Sequence, residues 1–293
     1  MLERSIPVGV RLDLRATLGP VGMVWGSFRS DGWWRPLRTP EGPATVHIRR
    51  DDAAVHARAW GPGSGWALER LDHLIGLRDD PESFQPSHPL VAELHRRSLV
   101  RRYGSTGLVF DALVVAIASQ KVTGKEAAGA LRGMARRYSE PAPGPEPLRL
   151  PPDPAQLAET RYHDFHRLEM ERRRADLVIR VARLADRLEP LACEPSEAAR
   201  RVLESTPGIG QWTSAETVAV SHGDPDAVSV GDFHLKHHVS WHLAGEARGT
   251  DEQMLELLEP YRPHRGRVVR LLESAGGYPS YGPRAPIRSF RSH

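Results

Sequence analysis

The chain has 293 residues, a formal net charge of +3 at pH 7 and a single cysteine. One cysteine excludes a disulfide framework and any site that needs four cysteines, such as an iron–sulfur cluster. The length is sufficient for two domains with buried cores, and the slight positive charge permits binding to nucleic acid without demonstrating it.

The sequence offers no candidate for a membrane span or a signal peptide. The first residues lack a long apolar run, and no stretch approaches about 18 consecutive apolar residues. We therefore expect a cytoplasmic, nucleoid-associated protein without a membrane partner.

The first 63 residues predict a small antiparallel β domain. Residues 6–18 alternate between apolar and polar side chains, as in a strand with one buried face. Asp31-Gly32 is a typical hairpin turn. Shorter β-prone segments follow at residues 23–25, 33–35, 45–49 and 53–60. The glycine-rich run 61–65 interrupts this pattern, so we expect the domain to end at residue 63.

Residues 64–293 predict a second, all-helical domain, because the apolar residues now recur at helical spacing. The expected fold class is therefore α+β, with an N-terminal antiparallel sheet followed by helices. Within this domain, residues 161–189 predict a long charged helix that contains Arg172-Arg173-Arg174. That basic run is either a solvated helix face or a contact to phosphate groups.

Residues 196–221 predict two helices joined by a tight turn. Ser196 is a typical first residue of a helix, and residues 212–221 contain neither proline nor glycine. Between them, residues 206–210 read Thr-Pro-Gly-Ile-Gly, which forces a turn. The second helix would begin with unpaired N–H groups beside glycines, an arrangement that binds phosphate without reading a base.

A third helical run covers residues 233–244 and ends at Gly245. It follows a short β-prone segment, residues 227–230, and begins directly after Asp232. This aspartate is either a helix cap or a fixed anion that stabilises a neighbouring cation, and the two roles are compatible.

These motifs resemble the signature of the helix-hairpin-helix (HhH-GPD) DNA glycosylase superfamily. Residues 207–210, Pro-Gly-Ile-Gly, match the family hairpin, and Asp232 matches the catalytic aspartate that follows it. The continuation through Trp212 is most similar to the bacterial 3-methyladenine DNA glycosylase II branch. Residues 117–122 are similar to the Ile-x-x-Gln-x-Val segment of that family.

The resemblance implies a base excision repair enzyme that acts on double-stranded DNA containing a damaged base. It would flip an alkylated purine of the 3-methyladenine or 7-methylguanine type out of the duplex and hydrolyse its N-glycosidic bond. Asp232 would be the catalytic residue, and Trp212 and Glu216 would line the base pocket. We expect a monomer. The expected DNA-binding residues are Gly208, Ile209, Gly210, Thr213, Gln120, Lys121 and Lys236.

Trp212 bears on the reaction type, and two further positions, Glu216 and Lys121, depart from the pattern of the branch. Trp212 stands where bifunctional relatives carry a nucleophilic lysine, so the resemblance implies a monofunctional enzyme that leaves the strand intact. Glu216 replaces a pocket tyrosine, and it either favours a cationic base or pairs with an arginine. Lys121 replaces an apolar wedge, and it either contacts phosphate or plugs the gap left by the flipped base.

We expect no cofactor and no metal site. The resemblance suggests at most a monovalent cation on the hairpin carbonyls. His234, His238 and His242 share one helix face, but no carboxylate or cysteine completes a ligand set at suitable spacing.

Two alternatives to the alkylated-purine glycosylase stay open. The first is a non-catalytic helix-hairpin-helix DNA-binding protein, and the second is a glycosylase for a different lesion, such as uracil, hypoxanthine or a bulky adduct. Asp232 discriminates against the first, because a pure binder needs this residue only for capping.

Overall fold

The computed structural model describes residues 1–22, 24–98, 100–277 and 279. Its N-terminal part contains one five-stranded antiparallel sheet with strand order β1-β5-β4-β3-β2. The strands are β1 (Leu2–Pro7), β2 (Ser27–Arg29), β3 (Gly32–Thr39), β4 (Gly42–Arg50) and β5 (Ala54–Trp60). Strands β2 to β5 follow one another as hairpins, and β1 returns to pair with β5. The predicted antiparallel sheet is confirmed.

The remainder of the described chain is helical, as predicted. The helices after the sheet are α2 (Ser64–Glu69), α3 (Leu71–Leu74), α4 (Pro89–Ser98), α5 (Val109–Ala118), α6 (Gly124–Arg137), α7 (Pro154–Ala158), α8 (Tyr162–His166), α9 (Arg172–Ala182), α10 (Ala185–Leu188), α11 (Ser196–Glu204), α12 (Gln211–Ser221), α13 (Leu235–Ala244), α14 (Asp251–Leu258) and α15 (Arg265–Ala275), and α1 (Leu14–Gly22) precedes β2. Within the described ranges, none of these helices is both long and apolar enough to cross a bilayer.

The strand predicted at residues 6–18 is present only at residues 6–7, which end β1, and residues 14–18 form the start of helix α1. The carboxylate of Asp13 accepts hydrogen bonds from the backbone N–H groups of Arg15 (2.8 Å) and Ala16 (3.0 Å), which starts a helix. Leu18 and Val21 are buried at helical spacing. The alternation in the sequence was therefore a misleading signal. In the segment 23–25, Met23 lies outside the described residues, and the other two residues form a turn.

Two further element predictions were wrong. Residues 227–230 form no strand; Val228 instead packs into an apolar core with α13, α14 and α15. The predicted helix at 161–189 is divided into α8, α9 and α10. Glu169 adopts a φ of 58° between the first two, and a left-handed residue ends a right-handed helix.

Helix α5 lies at the centre of the helical part and is buried along its whole length. It packs between α9 and α12, and its C-terminal end brings residues 119–121 towards the turn between α11 and α12. The core beneath the sheet includes Leu68, Leu71 and Leu74 from α2 and α3. The division of the chain into two domains at residue 63 stays a prediction.

A buried ion pair joins the sheet to α5. The guanidinium of Arg35 on β3 binds the carboxylate of Asp111, and the two side chains are 0% and 8% exposed. Arg35 also donates to the carbonyl of Val21. Burial raises the pKa of Asp111, and the charge of Arg35 opposes that shift.

Glu189 provides the cap that α5 lacks at its own first residue. Its carboxylate accepts hydrogen bonds from the backbone N–H groups of Phe110 (2.8 Å) and Val109 (3.1 Å). Burial nevertheless raises the pKa of Glu189 from 4.5 to about 7. The folded protein therefore binds this proton more tightly than the unfolded chain does.

This raised pKa predicts a specific pH dependence of stability. Between pH 4.5 and 7 the folded state holds a proton that the unfolded state releases, so the free energy of unfolding should fall as the pH rises through that window. The contribution of this group is roughly 3 kcal/mol. We expect Glu189→Gln to flatten the decline relative to the unmodified chain. Urea denaturation at pH 5 and pH 8 measures the free energy of unfolding of both proteins. An equal decline between these pH values in the variant and the unmodified chain would contradict the prediction.

Candidate active site and nucleic-acid interface

The turn between α11 and α12 contains one glycine, Gly208, that another residue could not replace without strain. Gly208 adopts a φ of 101°, and a Cβ atom there would lie 3.2 Å from the side chain of Leu177. The side chain of Ile209 is buried and anchors the turn in the core. Gly210 is exposed and immediately precedes α12. The predicted helix-turn-helix at 196–221 is thus present.

The N-terminal end of α12 is open to an anion. No side chain caps this end within the described residues, and open space surrounds the position that a Cβ of Gly210 would occupy. The first backbone N–H groups of a helix have no partner inside the helix. Arg180 on α9 donates to the carbonyl of Pro207 (2.6 Å), which brings a guanidinium beside the same turn. These groups together can bind a phosphate.

Gln120 and Thr213 lie behind the turn. The amide of Gln120 donates to Oγ1 of Thr213 (2.9 Å) and to the carbonyl of Gly208 (3.3 Å), while Thr213 is only 3% exposed. Lys121 follows as an exposed residue with a φ of 54°. The expected DNA contacts of these residues stay predictions, but the hydrogen bonds give Gln120 and Thr213 a bracing role in the turn.

The basic run at 172–174 divides its members between two environments. Arg172 is exposed and lies 3.5 Å from Asp176, whereas Arg174 is 5% exposed and donates to the carbonyl of Ala118 (2.8 Å). Arg174 therefore supplies a hydrogen-bond donor to a carbonyl at the C-terminal end of α5, which has no donor partner inside the helix. The interpretation of the run as a solvated face was wrong for this residue, because sequence spacing alone does not show which helix it packs against.

Asp232 is held by three donors from two elements. Its Oδ1 atom accepts hydrogen bonds from the backbone N–H groups of His234 (2.8 Å) and Leu235 (3.1 Å) at the start of α13. Its Oδ2 atom accepts a hydrogen bond from the indole N–H of Trp212 (3.2 Å) on α12. The carboxylate therefore caps α13 and is tied to the hairpin helix at the same time. These contacts fix its orientation.

A narrow recess lies next to Asp232. Its volume is about 40 Å³, which is on the order of three water molecules. A purine base can enter only if side chains of the recess move. The wall comes from separate parts of the chain, including Tyr103, Glu216, Asp224, Ser229, Arg270 and Glu273.

Glu216 pairs with an arginine, which is one of the two predicted roles, whereas its role towards a cationic base stays a prediction. Its carboxylate accepts a hydrogen bond from the hydroxyl of Ser229 and lies 3.9 Å from the guanidinium of Arg270. It is thus paired with an arginine, and it also lines the recess beside Asp232.

The recess contains more acidic than basic groups. Arg270 is the only arginine or lysine among its lining residues, against the carboxyl groups of Glu216, Glu273, Asp224 and Asp232. Burial raises the pKa of Glu273, Arg270 opposes the shift, and the neighbouring carboxylates of Glu216 and Asp232 add to it. A positively charged ligand is therefore favoured over a negative one.

Lys236 is engaged within the protein. Its Nζ atom lies 3.1 Å from Oδ2 of Asp251, whose Oδ1 accepts a hydrogen bond from the backbone N–H of Gly231 (3.2 Å). Lys236 thereby steadies the loop that carries Asp232. The expected DNA contact of Lys236 stays a prediction.

The hairpin carbonyls are a poor cradle for a monovalent cation. The carbonyl of Pro207 accepts from the positively charged Arg180, and that of Gly208 accepts from Gln120. The described ranges contain no cluster of three His, Cys, Asp or Glu side chains suited to a metal ion. The face shared by His234 and His238 is partly buried, since His238 is 8% exposed.

Sequence reasoning missed the far wall of the recess and one surface residue. Arg270 and Glu273 lie on α15, and Tyr103 precedes α5, so no local motif connects them with Asp232. Phe233 directly follows Asp232 and is 63% exposed, which is unusual for a large apolar side chain. Its adjacency to Asp232 was visible in the sequence, but its exposure was not.

Comparisons with known proteins identify a family and a fold for this chain. The model of the HhH-GPD superfamily of base excision DNA repair proteins matches residues 114–263, just over half of the chain. No curated protein matches the chain.

Three solved structures share the fold. The 3-methyladenine DNA glycosylase from Archaeoglobus fulgidus superposes with a TM-score of 0.78 at 18% identity, covering 92% of this chain and 97% of that one. The apo 8-oxoguanine glycosylase/lyase from Clostridium acetobutylicum superposes with a TM-score of 0.74 at 13% identity, covering 94% of this chain and 98% of that one. The 3-methyladenine DNA glycosylase from Schizosaccharomyces pombe, in complex with abasic DNA, superposes with a TM-score of 0.51 at 17% identity, covering 70% of this chain and 94% of that one.

Proposed function

The chain belongs to the HhH-GPD superfamily of base excision DNA repair proteins, and from this premise we propose that it is a monofunctional glycosylase that removes alkylated purines from duplex DNA. The observation that carries the proposal is the hydrogen bond from Trp212 to Asp232, a residue that lines an acidic recess. It brings an oriented carboxylate, an aromatic surface and a site for a cationic base together.

DNA binds through the turn at 206–210. The open N–H groups of α12, the exposed Arg180 and Lys121 contact the phosphates on either side of the extruded nucleotide. The structure of the S. pombe enzyme with abasic DNA supports this choice of partner. We propose that the protein acts as a monomer on such DNA.

Asp232 acts on the sugar as the glycosidic bond breaks. The C1′–N bond lengthens, positive charge develops on the sugar ring, and a fixed carboxylate stabilises that charge. The electron pair of the broken bond leaves with the base. Water then attacks C1′ and transfers its proton to Asp232, so that a free base and an abasic site result.

The acidic recess favours an alkylated purine as the leaving base. A 3-methyladenine or 7-methylguanine residue carries a positive charge in DNA and leaves as a neutral base, so no proton has to be donated to it. Glu216 and Glu273 stabilise the cationic base before cleavage. Release of free methylated base from methylated duplex DNA tests the proposal. Release of uracil, hypoxanthine or 8-oxoguanine alone would replace the substrate class while keeping the reaction.

The product should be an intact strand with an abasic site. Only three lysines occur in the sequence, and position 212, where the bifunctional relatives carry the nucleophile, is a tryptophan. Lys236 is held in an ion pair with Asp251. We expect strand cleavage only after alkali is added, and no covalent enzyme–DNA adduct on borohydride treatment. An adduct would contradict the prediction, and its loss in Lys121→Ala would identify the amine.

Lys121 should act through its charge. Its exposed ammonium can reach a phosphate but gains little by stacking between bases. Lys121→Ala should weaken binding to damaged and undamaged duplexes alike and lower the slope of log K against log salt by about one unit. Binding across a salt series measures this slope.

Lys121→Leu separates the two roles of this residue. If Lys121 plugs the gap left by the flipped base, the leucine should preserve or improve excision, and the alanine variant should keep the full salt slope. An unchanged slope in Lys121→Ala would refute the phosphate contact.

A further inference from the structure

A second, larger cavity lies away from the recess at Asp232. Its volume is about 490 Å³, within the range of pockets that hold small organic ligands. The two cavities share no lining residue. The wall comes from several separate segments: Trp25, residues 38–40 at the end of β3, Trp66 and Arg70, the start of α5, the prolines at 151–154, and residues 185–193.

The cavity and the DNA-binding turn lie at opposite ends of α5. Leu108 and Phe110 line the cavity at the beginning of this helix, whereas Gln120 contacts the turn just beyond its end. A helix of 10 residues is roughly 15 Å long. A ligand in the cavity can therefore be bound while DNA occupies the turn.

The lining combines flat apolar surfaces with one cation that lacks an acidic partner. Trp25, Trp66 and Phe110 supply aromatic rings, and several prolines supply further apolar surface. Arg38 binds Glu140 and is thereby neutralised. Within the described residues, no carboxylate lies within ion-pair distance of Arg70.

Arg70 is poised towards the cavity. Its guanidinium lies 5.1 Å from the ring centroid of Trp66, and its Nε atom is buried without a hydrogen-bond partner among the described residues. Gly107 makes room for it, because a Cβ atom at Gly107 would lie 2.6 Å from the guanidinium. The guanidinium makes no hydrogen bond within the described residues, so a ligand carboxylate that reaches its Nη atoms from the cavity would supply the missing acceptor.

We propose that this cavity is a binding site for a small aromatic carboxylate, with the carboxylate on Arg70 and the ring on the surface of Trp66. The charges favour a single negative charge. One unpaired guanidinium neutralises one carboxylate. Asp186 also lines the cavity and would repel a nucleotide or another ligand with several phosphate charges more strongly than a single carboxylate.

The probes are 2-naphthoate and 2-naphthamide, which have nearly the same shape and differ in charge. Isothermal titration calorimetry of the full-length protein without DNA should detect naphthoate binding and at least about tenfold weaker binding of the amide. Arg70→Gln should reduce naphthoate affinity to that of the amide, and Arg70→Lys should restore part of it. Arg96→Gln, which removes an exposed arginine on α4, is the control and should change neither the naphthoate affinity nor the naphthamide affinity.

Cys193 locates the bound probe. It is the only cysteine in the sequence, it is exposed, and it lines the rim of this cavity. Saturating naphthoate should slow alkylation of Cys193 by iodoacetamide severalfold in the unmodified protein. It should have no such effect in Ala192→Trp, in which an indole fills the cavity.

Equal affinities for naphthoate and naphthamide, or no naphthoate binding at millimolar concentrations, would overturn the proposal. Unprotected Cys193 in the presence of bound naphthoate would do the same. If Ala192→Trp does not fold, the two Arg70 variants and the protection of Cys193 still decide the matter. None of these measurements depends on base excision, so the result is independent of the proposed enzymatic activity.

Discussion

Asp232→Asn should abolish most base excision, lowering the rate by roughly 10²-fold or more, while the protein still folds and binds DNA. The loss follows because an amide carries no charge to oppose the developing sugar cation and cannot take the proton of the attacking water. Single-turnover release of methylated base from duplex DNA measures the effect. Retained activity would remove Asp232 from the mechanism.

The structure allows a small stability change in this variant. An asparagine oxygen can still accept from the N–H groups of His234 and Leu235, but the amide nitrogen cannot accept from the indole of Trp212. We expect a destabilisation of about 1 kcal/mol. Asp224→Asn is the matched control, since it removes the same charge from the same recess without touching Trp212. Its excision rate should stay within a few-fold of the unmodified protein.

Asp79→Ala should cost roughly 3–5 kcal/mol of unfolding free energy, the largest stability loss that we expect from a single charged residue. Asp79 and its partner Arg267 on α15 are only 3% and 4% exposed. Asp79 also accepts a hydrogen bond from the backbone N–H of Tyr103 (2.9 Å). Removing the carboxylate leaves a buried guanidinium without its anion, with only a long hydrogen bond to His264 (3.3 Å) and the ring of Tyr103 beside it.

Urea denaturation measures this loss of unfolding free energy. Two further variants test whether it arises from the burial of the ion pair. Asp79→Leu combined with Arg267→Met should recover much of the stability, because neither variant residue leaves a buried charge. Glu93→Ala breaks an exposed ion pair with Arg96 and should cost less than about 1 kcal/mol. Similar losses for Asp79→Ala and Glu93→Ala would contradict the importance of burial. Because α15 carries Arg270 and Glu273, excision should also decline in Asp79→Ala.

The sequence was sufficient for those parts of the site that are contiguous. The turn at 206–210 and the helix beginning after Asp232 are encoded by glycine, proline and capping residues, whose effects are local. Trp212 donates to Asp232 but is not among the residues that line the recess, so its place in a base pocket stays a prediction. The bond between Trp212 and Asp232 joins two such local elements.

Long-range packing accounts for what the sequence did not reveal. Arg174 and Arg270 look like solvated residues in the sequence. Their environments depend on the neighbouring helices: Arg174 donates to a carbonyl at the C-terminal end of α5, and Arg270 lines the recess. The strand predicted at 6–18 failed for a related reason. A short alternating pattern is compatible with a helix when a capping aspartate, here Asp13, precedes buried residues at helical spacing.

The ion pair between Arg35 and Asp111 bears on how this protein can be dissected. A fragment that starts at residue 64 would leave Asp111 buried without its cation and would also lack Trp25, which packs into the helical core. The sheet is thus no detachable module, and loss of function on truncation would report unfolding rather than a catalytic role for the sheet. Point substitutions on its exposed face are the informative route to what the sheet contributes.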